Sequence, residues 1–318
     1  MTRIEKYQQE YNDFLAKNQF QGAPENLYNP MNYIMAIGGK RVRPLLSMIG
    51  NQTCNGNLQV GTQIGHVMEV FHNFSLVHDD IMDNADLRRG NETVHIKWDM
   101  PTAILSGDNM LVKAFELLFN YAGPNKDEIF KTFTKTATEV CEGQQNDMDF
   151  ESMDHVEVDS YLKMIQYKTA VLLGCSLKCG ALSANCDIET SNVFYDFAIN
   201  MGMAFQLMDD YLDTFGKSEA TGKIEGGDII QGKKTWLFLK SKENNSQKHS
   251  ELFSITDATE KTTQTIQFWQ EIGLDKECLQ LIQTYNAKAQ QDLKTLESKG
   301  YSCEILLELL EYLGSRQS

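Results

Sequence analysis

All five prolines of this 318-residue chain lie at or before Pro124, so residues 125–318 contain no obligate helix breaker. An all-β or alternating α/β chain rarely runs that far without one, and an all-α fold follows. Apolar periodicity predicts helices over 60–83, 127–150, 158–182, 188–214, 233–243, 258–271, 275–298 and 302–313. Loops are expected at 51–61, 86–93, 121–127 and 216–228, where Gly, Asn or charge accumulates. None reads as a flexible linker, and a hydrophobic fraction of 42% suffices for a large core, so one helical domain spanning 1–318 is expected.

A formal charge of −15 argues against nucleic acid or an anionic membrane surface as a general partner, and any anion must bind at local basic clusters. The first residues lack the apolar core of a signal peptide, and no apolar run reaches about 18 residues. A cytoplasmic protein without a membrane span is expected. Seven scattered cysteines without CxxC spacing read as free thiols, and Cys175 and Cys179 read as packing residues on one helical face.

Chemistry concentrates at two acidic motifs. In DDIMD (79–83) a helical spacing of four stacks Asp79 on Asp83, with Asp80 beside them. The like charges repel, and a cation relieves the repulsion. All-oxygen ligands suit magnesium, which accepts one or two carboxylates and leaves positions for water and substrate phosphates. One such motif also fits a solvated acidic helix end. The second copy, DDYLD, places Asp209, Asp210 and Asp213 at the same spacing, again after an apolar helical run. Two clusters can neutralise one diphosphate together.

Basic residues accompany them. GGKRVRP (38–44) supplies Lys40, Arg41 and Arg43, and Arg88-Arg89-Gly90 follows the first acidic motif. Arginine forks match diphosphate oxygens, although either cluster alone also fits a solubilising surface. His72 lies two helical turns before Asp79 on the same side, fitting either a diphosphate contact or a structural histidine. Lys168, Lys223, Lys233 and Lys234 offer further donors.

GGKRVRP (38–44), HNFSLVHDDIMDNADLRRG (72–90), GQQND (143–147), KTA (168–170), FQLMDDYLD (205–213), TGK (221–223) and GDIIQGKKT (227–235) together resemble the trans-type isoprenyl diphosphate synthases, in that family's order and over nearly the whole chain. The resemblance implies an all-helical, mostly antiparallel bundle around a deep central cavity, and a homodimer. It implies three magnesium ions, with Asp79, Asp83 and Asp209 as direct ligands and Asp80, Asp210, Asp213 and Asp147 in outer-shell or water-mediated roles. Arg88, Lys168 and Lys223 are expected on the allylic diphosphate. Lys40, Arg43, His72 and Arg89 are expected on isopentenyl diphosphate, and Lys233 closes the allylic site. The terminal GSRQS supplies only Arg316, so the basic C-terminal flap of some members is not expected.

The implied reaction ionises dimethylallyl, geranyl or farnesyl diphosphate. Isopentenyl diphosphate then attacks the allylic cation, and proton loss completes the step, with released diphosphate as the expected base. Thr169 and Gln206 are expected to lend dipoles to the cation. The alternatives are a terpene cyclase, against which GGKRVRP and DDYLD argue, and a catalytically silent partner subunit. Product length is expected to depend on Phe74 and Phe71, five and eight residues before Asp79, or about 7.5 and 12 Å deeper along the helix. They lie about 60° apart around it. Both also fit plain interhelical packing. An aromatic at Phe74 beside Ser75, with no insertion in DDIMD, looks like geranylgeranyl diphosphate synthases, with the farnesyl type as runner-up.

Overall fold

The computed structural model describes residues 2–216 and 226–314. The expected contacts of Lys223 and of the segment after Gly314 lie outside the described residues. The chain is all-α as predicted. Its elements are α1 (Arg3–Lys17), α2 (Glu25–Ala36), α3 (Val42–Thr53), α4 (Leu58–Met82), a two-stranded ribbon of β1 (Leu87–Arg88) and β2 (Asn91–Glu92), α5 (Val94–Lys97), α6 (Met100–Phe119) and α7 (Lys126–Ser152). Then come α8 (Val158–Ile165), a π-helical turn (Gln166–Ala170), α9 (Val171–Ser183), α10 (Ile188–Phe215), α11 (Gly227–Gln231), α12 (Trp236–Asn244), α13 (Ser246–Phe253), α14 (Ala258–Glu271), α15 (Leu274–Ser298) and α16 (Glu304–Gly314).

The main helices match the predicted spans to within a few residues. Helices α1, α2, α3 and α6, and the short α5, α11 and α13, have no counterpart in the prediction, and the expected loop at 51–61 is mostly helical. A capping box that marks the start of α1 is nevertheless present in the sequence. Thr2 Oγ1 accepts from the Glu5 amide at 3.1 Å, and the Glu5 carboxylate accepts from the Thr2 amide at 2.7 Å.

Backbone proximity groups the chain into two compact units, residues 1–133 with 175–194, and residues 134–174 with 195–318. In the first, α3 packs on α4 and on the second half of α9. The crossing of α3 and α9 is close because Gly180 and Gly50 carry no side chain: a Cβ on Gly180 would collide with the Ser47 backbone, and one on Gly50 with the Leu177 carbonyl. Buried hydrogen bonds fix the register, with Ser47 Oγ donating to the Ser176 carbonyl and Asn51 Nδ2 donating to Ser183 Oγ, both at 2.9 Å. In the second unit, Phe150, Tyr161, Leu207, Trp236, Leu237 and Trp269 belong to one buried cluster. Each large apolar side chain removed from water contributes about 1.5–3 kcal/mol.

His66 on α4 is buried under α1 and the turn that follows it. Its Nδ1 lies 3.2 Å from the Tyr11 hydroxyl, and the rings of Phe14 and Phe20 pack at 5.3 and 6.2 Å. Burial, with a smaller push from Arg41, lowers its pKa from 6.5 to about 4. Between those two values the unfolded chain takes up a proton that the folded state refuses. Stability is therefore full above pH 6.5 and falls on acidification, by up to about 1.4 kcal/mol per pH unit. His66→Gln is expected to show a shallower loss of stability between pH 6.5 and 5 than the wild type in chemical denaturation. Equal slopes would show that His66 does not carry this term.

Candidate active site

DDIMD forms the last turn of α4, with Asp83 as its C-cap and no basic residue in that turn. DDYLD lies in the last turns of α10, which also end without a basic residue. Both motifs place carboxylates at the negative end of a helix dipole, which disfavours a negative charge by about 0.3–1 kcal/mol. A bound cation reverses that sign.

The two motifs share a division of labour. The second aspartate of each is buried and engaged within its own unit. Asp80, 1% exposed, receives a fork from Arg88, with Nε at 2.9 Å from both carboxylate oxygens and Nη2 at 2.6 Å. Asp210, 4% exposed, accepts from the Tyr161 hydroxyl and from Gln206 Nε2 at 3.3 Å. Asp79 and Asp209 are partly exposed and Asp83 is exposed, which suits ligands that must meet a metal and its waters. Asp213 is partly committed, since its carboxylate caps α11 by accepting from the Asp228 amide at 2.8 Å. Among the described residues no three Asp, Glu, His or Cys side chains converge as a ready-made metal cage. Magnesium does not need one, because it typically keeps several waters and completes its shell with substrate phosphates.

In the first unit the predicted basic residues gather around His72. Burial, then Arg43, Arg89, Arg88 and Arg41 in decreasing order, push the imidazole well below 6.5, so it is neutral at physiological pH. Burial also lowers Arg43 to about 10, an effect that Glu69 opposes and Arg89 reinforces. Such a neutral donor among cations suits an anion. Arg89 and Gly90 form the two-residue turn of the β-ribbon, both at positive φ (52° and 75°), as this turn type requires. The Arg89 guanidinium then lies over Gly39, where a Cβ would collide with it, and donates to the Gly38 carbonyl. Gly39 of GGKRVRP thus makes room for Arg89.

In the second unit Lys168 pairs with Asp147, and Thr169 Oγ1 donates to Gln206 Oε1 at 3.4 Å. Burial disfavours the Lys233 ammonium, but Asp228, Asp210, Asp147 and Asp213 outweigh that and raise its pKa. Burial raises Asp210 to about 7, opposed by Lys233 and by the hydrogen bond from Tyr161. Lys234 is spent elsewhere. Its ammonium donates to the carbonyls of Phe150, Glu151 and Met153 and so caps the C-terminal end of α7.

Lys168 and Thr169 belong to the π-helical turn, not to the regular helix predicted across 158–182. A Cβ on Gly143 would collide with the Lys168 backbone nitrogen. Gly143→Ala is therefore expected to displace this turn and lower kcat by roughly 10²-fold, with helix content unchanged by circular dichroism. Wild-type kcat in that variant would show that the close approach has no catalytic consequence.

Glu69, Tyr161, Asp228, Phe115 and Phe133 were not identified from the sequence. Phe71 is 1% exposed and packs on Phe74 at 5.5 Å and on Phe133 at 5.3 Å, and Phe133 packs on Phe115 at 5.3 Å. Glu69 had a legible signal, an acid in the middle of the apolar helix carrying DDIMD. The others had none.

The polyprenyl synthetase family model matches residues 24–272, and the chain belongs to that family. A geranylgeranyl diphosphate synthase of Methanosarcina mazei is 34% identical over 297 residues, covering 92% of this chain and 91% of the relative. A crystal structure of a geranylgeranyl pyrophosphate synthase superposes with TM-score 0.92 at 42% identity, covering 99% of this chain and 98% of the other. A polyprenyl synthase from Caulobacter crescentus, complexed with calcium and isoprenyl diphosphate, superposes with TM-score 0.81 at 26% identity over 98% and 93% of the two chains.

Proposed function

We propose that this chain is a prenyltransferase that condenses isopentenyl diphosphate head to tail with an allylic diphosphate, giving geranylgeranyl diphosphate, in a single catalytic domain. The observation that carries this reading is the set of basic residues Arg41, Arg43, Arg88 and Arg89 around His72, on the same helix as a terminal cluster of carboxylates, with Arg88 held on Asp80 and Arg89 on the Gly38 carbonyl. Anion-binding and cation-binding groups at that spacing suit a magnesium diphosphate. Asp79, Asp83 and Asp209 are the residues we assign to magnesium, with three ions. When bound, magnesium neutralises charge developing on the departing diphosphate.

This chain's own residues then act on the organic groups. Arg88, Lys168 and Lys233 hold the allylic diphosphate as its carbon–oxygen bond breaks. Lys40, Arg43, His72 and Arg89 hold isopentenyl diphosphate with its double bond toward the resulting cation. The Thr169 and Gln206 dipoles favour positive charge nearby, and released diphosphate takes the proton lost in forming the new allylic double bond. Purified protein with magnesium, isopentenyl diphosphate and each of dimethylallyl, geranyl and farnesyl diphosphate is expected to yield the all-trans C20 diphosphate. Cyclised product, or none with any primer, overturns this reading.

The homodimer has a candidate face. On α6, Leu105, Val112 and Phe119 recur every seven residues and are 60%, 60% and 69% exposed, an apolar stripe suited to a second copy. Light scattering of Leu105→Glu with Val112→Glu is expected to give a monomer where the wild type gives a dimer. No helix among the described residues is long and apolar enough to cross a membrane. The free cysteines, five of them buried, suit the reducing cytoplasm.

A further inference from the structure

Arg41 sits in the middle of GGKRVRP but is turned away from solvent. It N-caps α3 with φ 52°, a left-handed conformation that an arginine holds only when its surroundings enforce it. The enforcing contacts are buried. Nη1 donates to Glu69 Oε1 at 2.6 Å and Nη2 donates to the Met35 carbonyl, with the two side chains 3% and 5% exposed. Lys40 and Arg43, on either side, stay partly exposed. Glu69 lies three residues before His72 on α4, and its charge acts favourably on the Arg43 and Arg89 guanidiniums as well.

We propose that Glu69 is a positioning residue for the isopentenyl diphosphate site. Through Arg41 it pins the left-handed turn that aims Lys40 and Arg43, and it offsets the mutual repulsion of Arg41, Arg43 and Arg89. The inference rests on the reading of the chain as a prenyl-elongating enzyme. Arg88 does not depend on Glu69 in this way, because Asp80 is its own counter-charge. Loss of Glu69 should therefore weaken one diphosphate site and spare the other.

Glu69→Gln keeps the side-chain size and removes the charge. It is expected to raise the KM for isopentenyl diphosphate by about tenfold or more, while the KM for the allylic primer and kcat change less than about threefold. A second enzyme carrying both Arg41→Met and Glu69→Met removes the buried pair together, which restores stability when the replacement packs well. Its melting temperature is expected to return toward wild type while the KM for isopentenyl diphosphate stays raised. Recovery of that KM together with stability would show a merely structural pair and overturn the proposal. An active wild type with unchanged KM in Glu69→Gln also overturns it, leaving the function standing. A wild type inactive on every primer removes the function instead.

Discussion

Asp79→Ala and Asp209→Ala each lower turnover by on the order of 10³-fold in steady-state assays, with the helical circular dichroism spectrum unchanged. The separation follows from where the carboxylates stand. Each lies at the C-terminal end of a long helix, and neither last turn carries a basic residue. Their removal relieves an unfavourable helix-dipole interaction of about 0.3–1 kcal/mol. Asp80→Ala behaves differently. It leaves the half-buried Arg88 fork without its buried partner and is expected to lower stability by about 1–3 kcal/mol as well as activity. Near wild-type turnover of Asp79→Ala at ordinary magnesium concentrations would sink the metal assignment. Unchanged stability in Asp80→Ala would sink the division of labour within the motif.

Phe74→Ala shifts the product from C20 toward longer chains, read by chromatography of the dephosphorylated alcohols. Phe74 is the nearer aromatic to Asp79 and packs on His78 as well as Phe71, and at 8% exposure it is less completely enclosed than Phe71 at 1%. Phe71 is locked between the rings of Phe74 and Phe133, and Phe133 in turn packs on Phe115. Truncating a core phenylalanine costs about 3–5 kcal/mol, so Phe71→Ala alone is expected to show more in melting temperature than in chain length. With Phe74→Ala it extends the product further, because the second ring then faces the newly opened space. Wild-type product distributions from active Phe74→Ala and the double variant would reduce both rings to packing residues.

Local chemistry was legible because it repeats at helical spacing. The proline-free stretch, the apolar periods and the two DDxxD turns each depend on residues a few positions apart, and the structure places helices where they predict. Helices α1, α2, α3 and α6 lie outside the spans that apolar periodicity marks, although Thr2 and Glu5 form a recognisable capping box at the start of α1. The π-helical turn at 166–170 was not legible either, because the backbone that passes closest to it, at Gly143, is more than twenty positions away.

Residue type and spacing by themselves determined the helical class and the groups available for cation and diphosphate chemistry. Tertiary structure alone decided which of the similar side chains are accessible. Arg41 and Arg43 are two residues apart and look interchangeable in GGKRVRP, yet Glu69 takes the first out of reach. Asp79 and Asp80 are adjacent, and only the second is buried against Arg88. Lys233 lies in the field of four aspartates, while Lys234 holds the end of α7. In each case the deciding partner is far away in sequence. A charged side chain leaves water only where a specific counter-charge or carbonyl meets it, and packing sets that meeting.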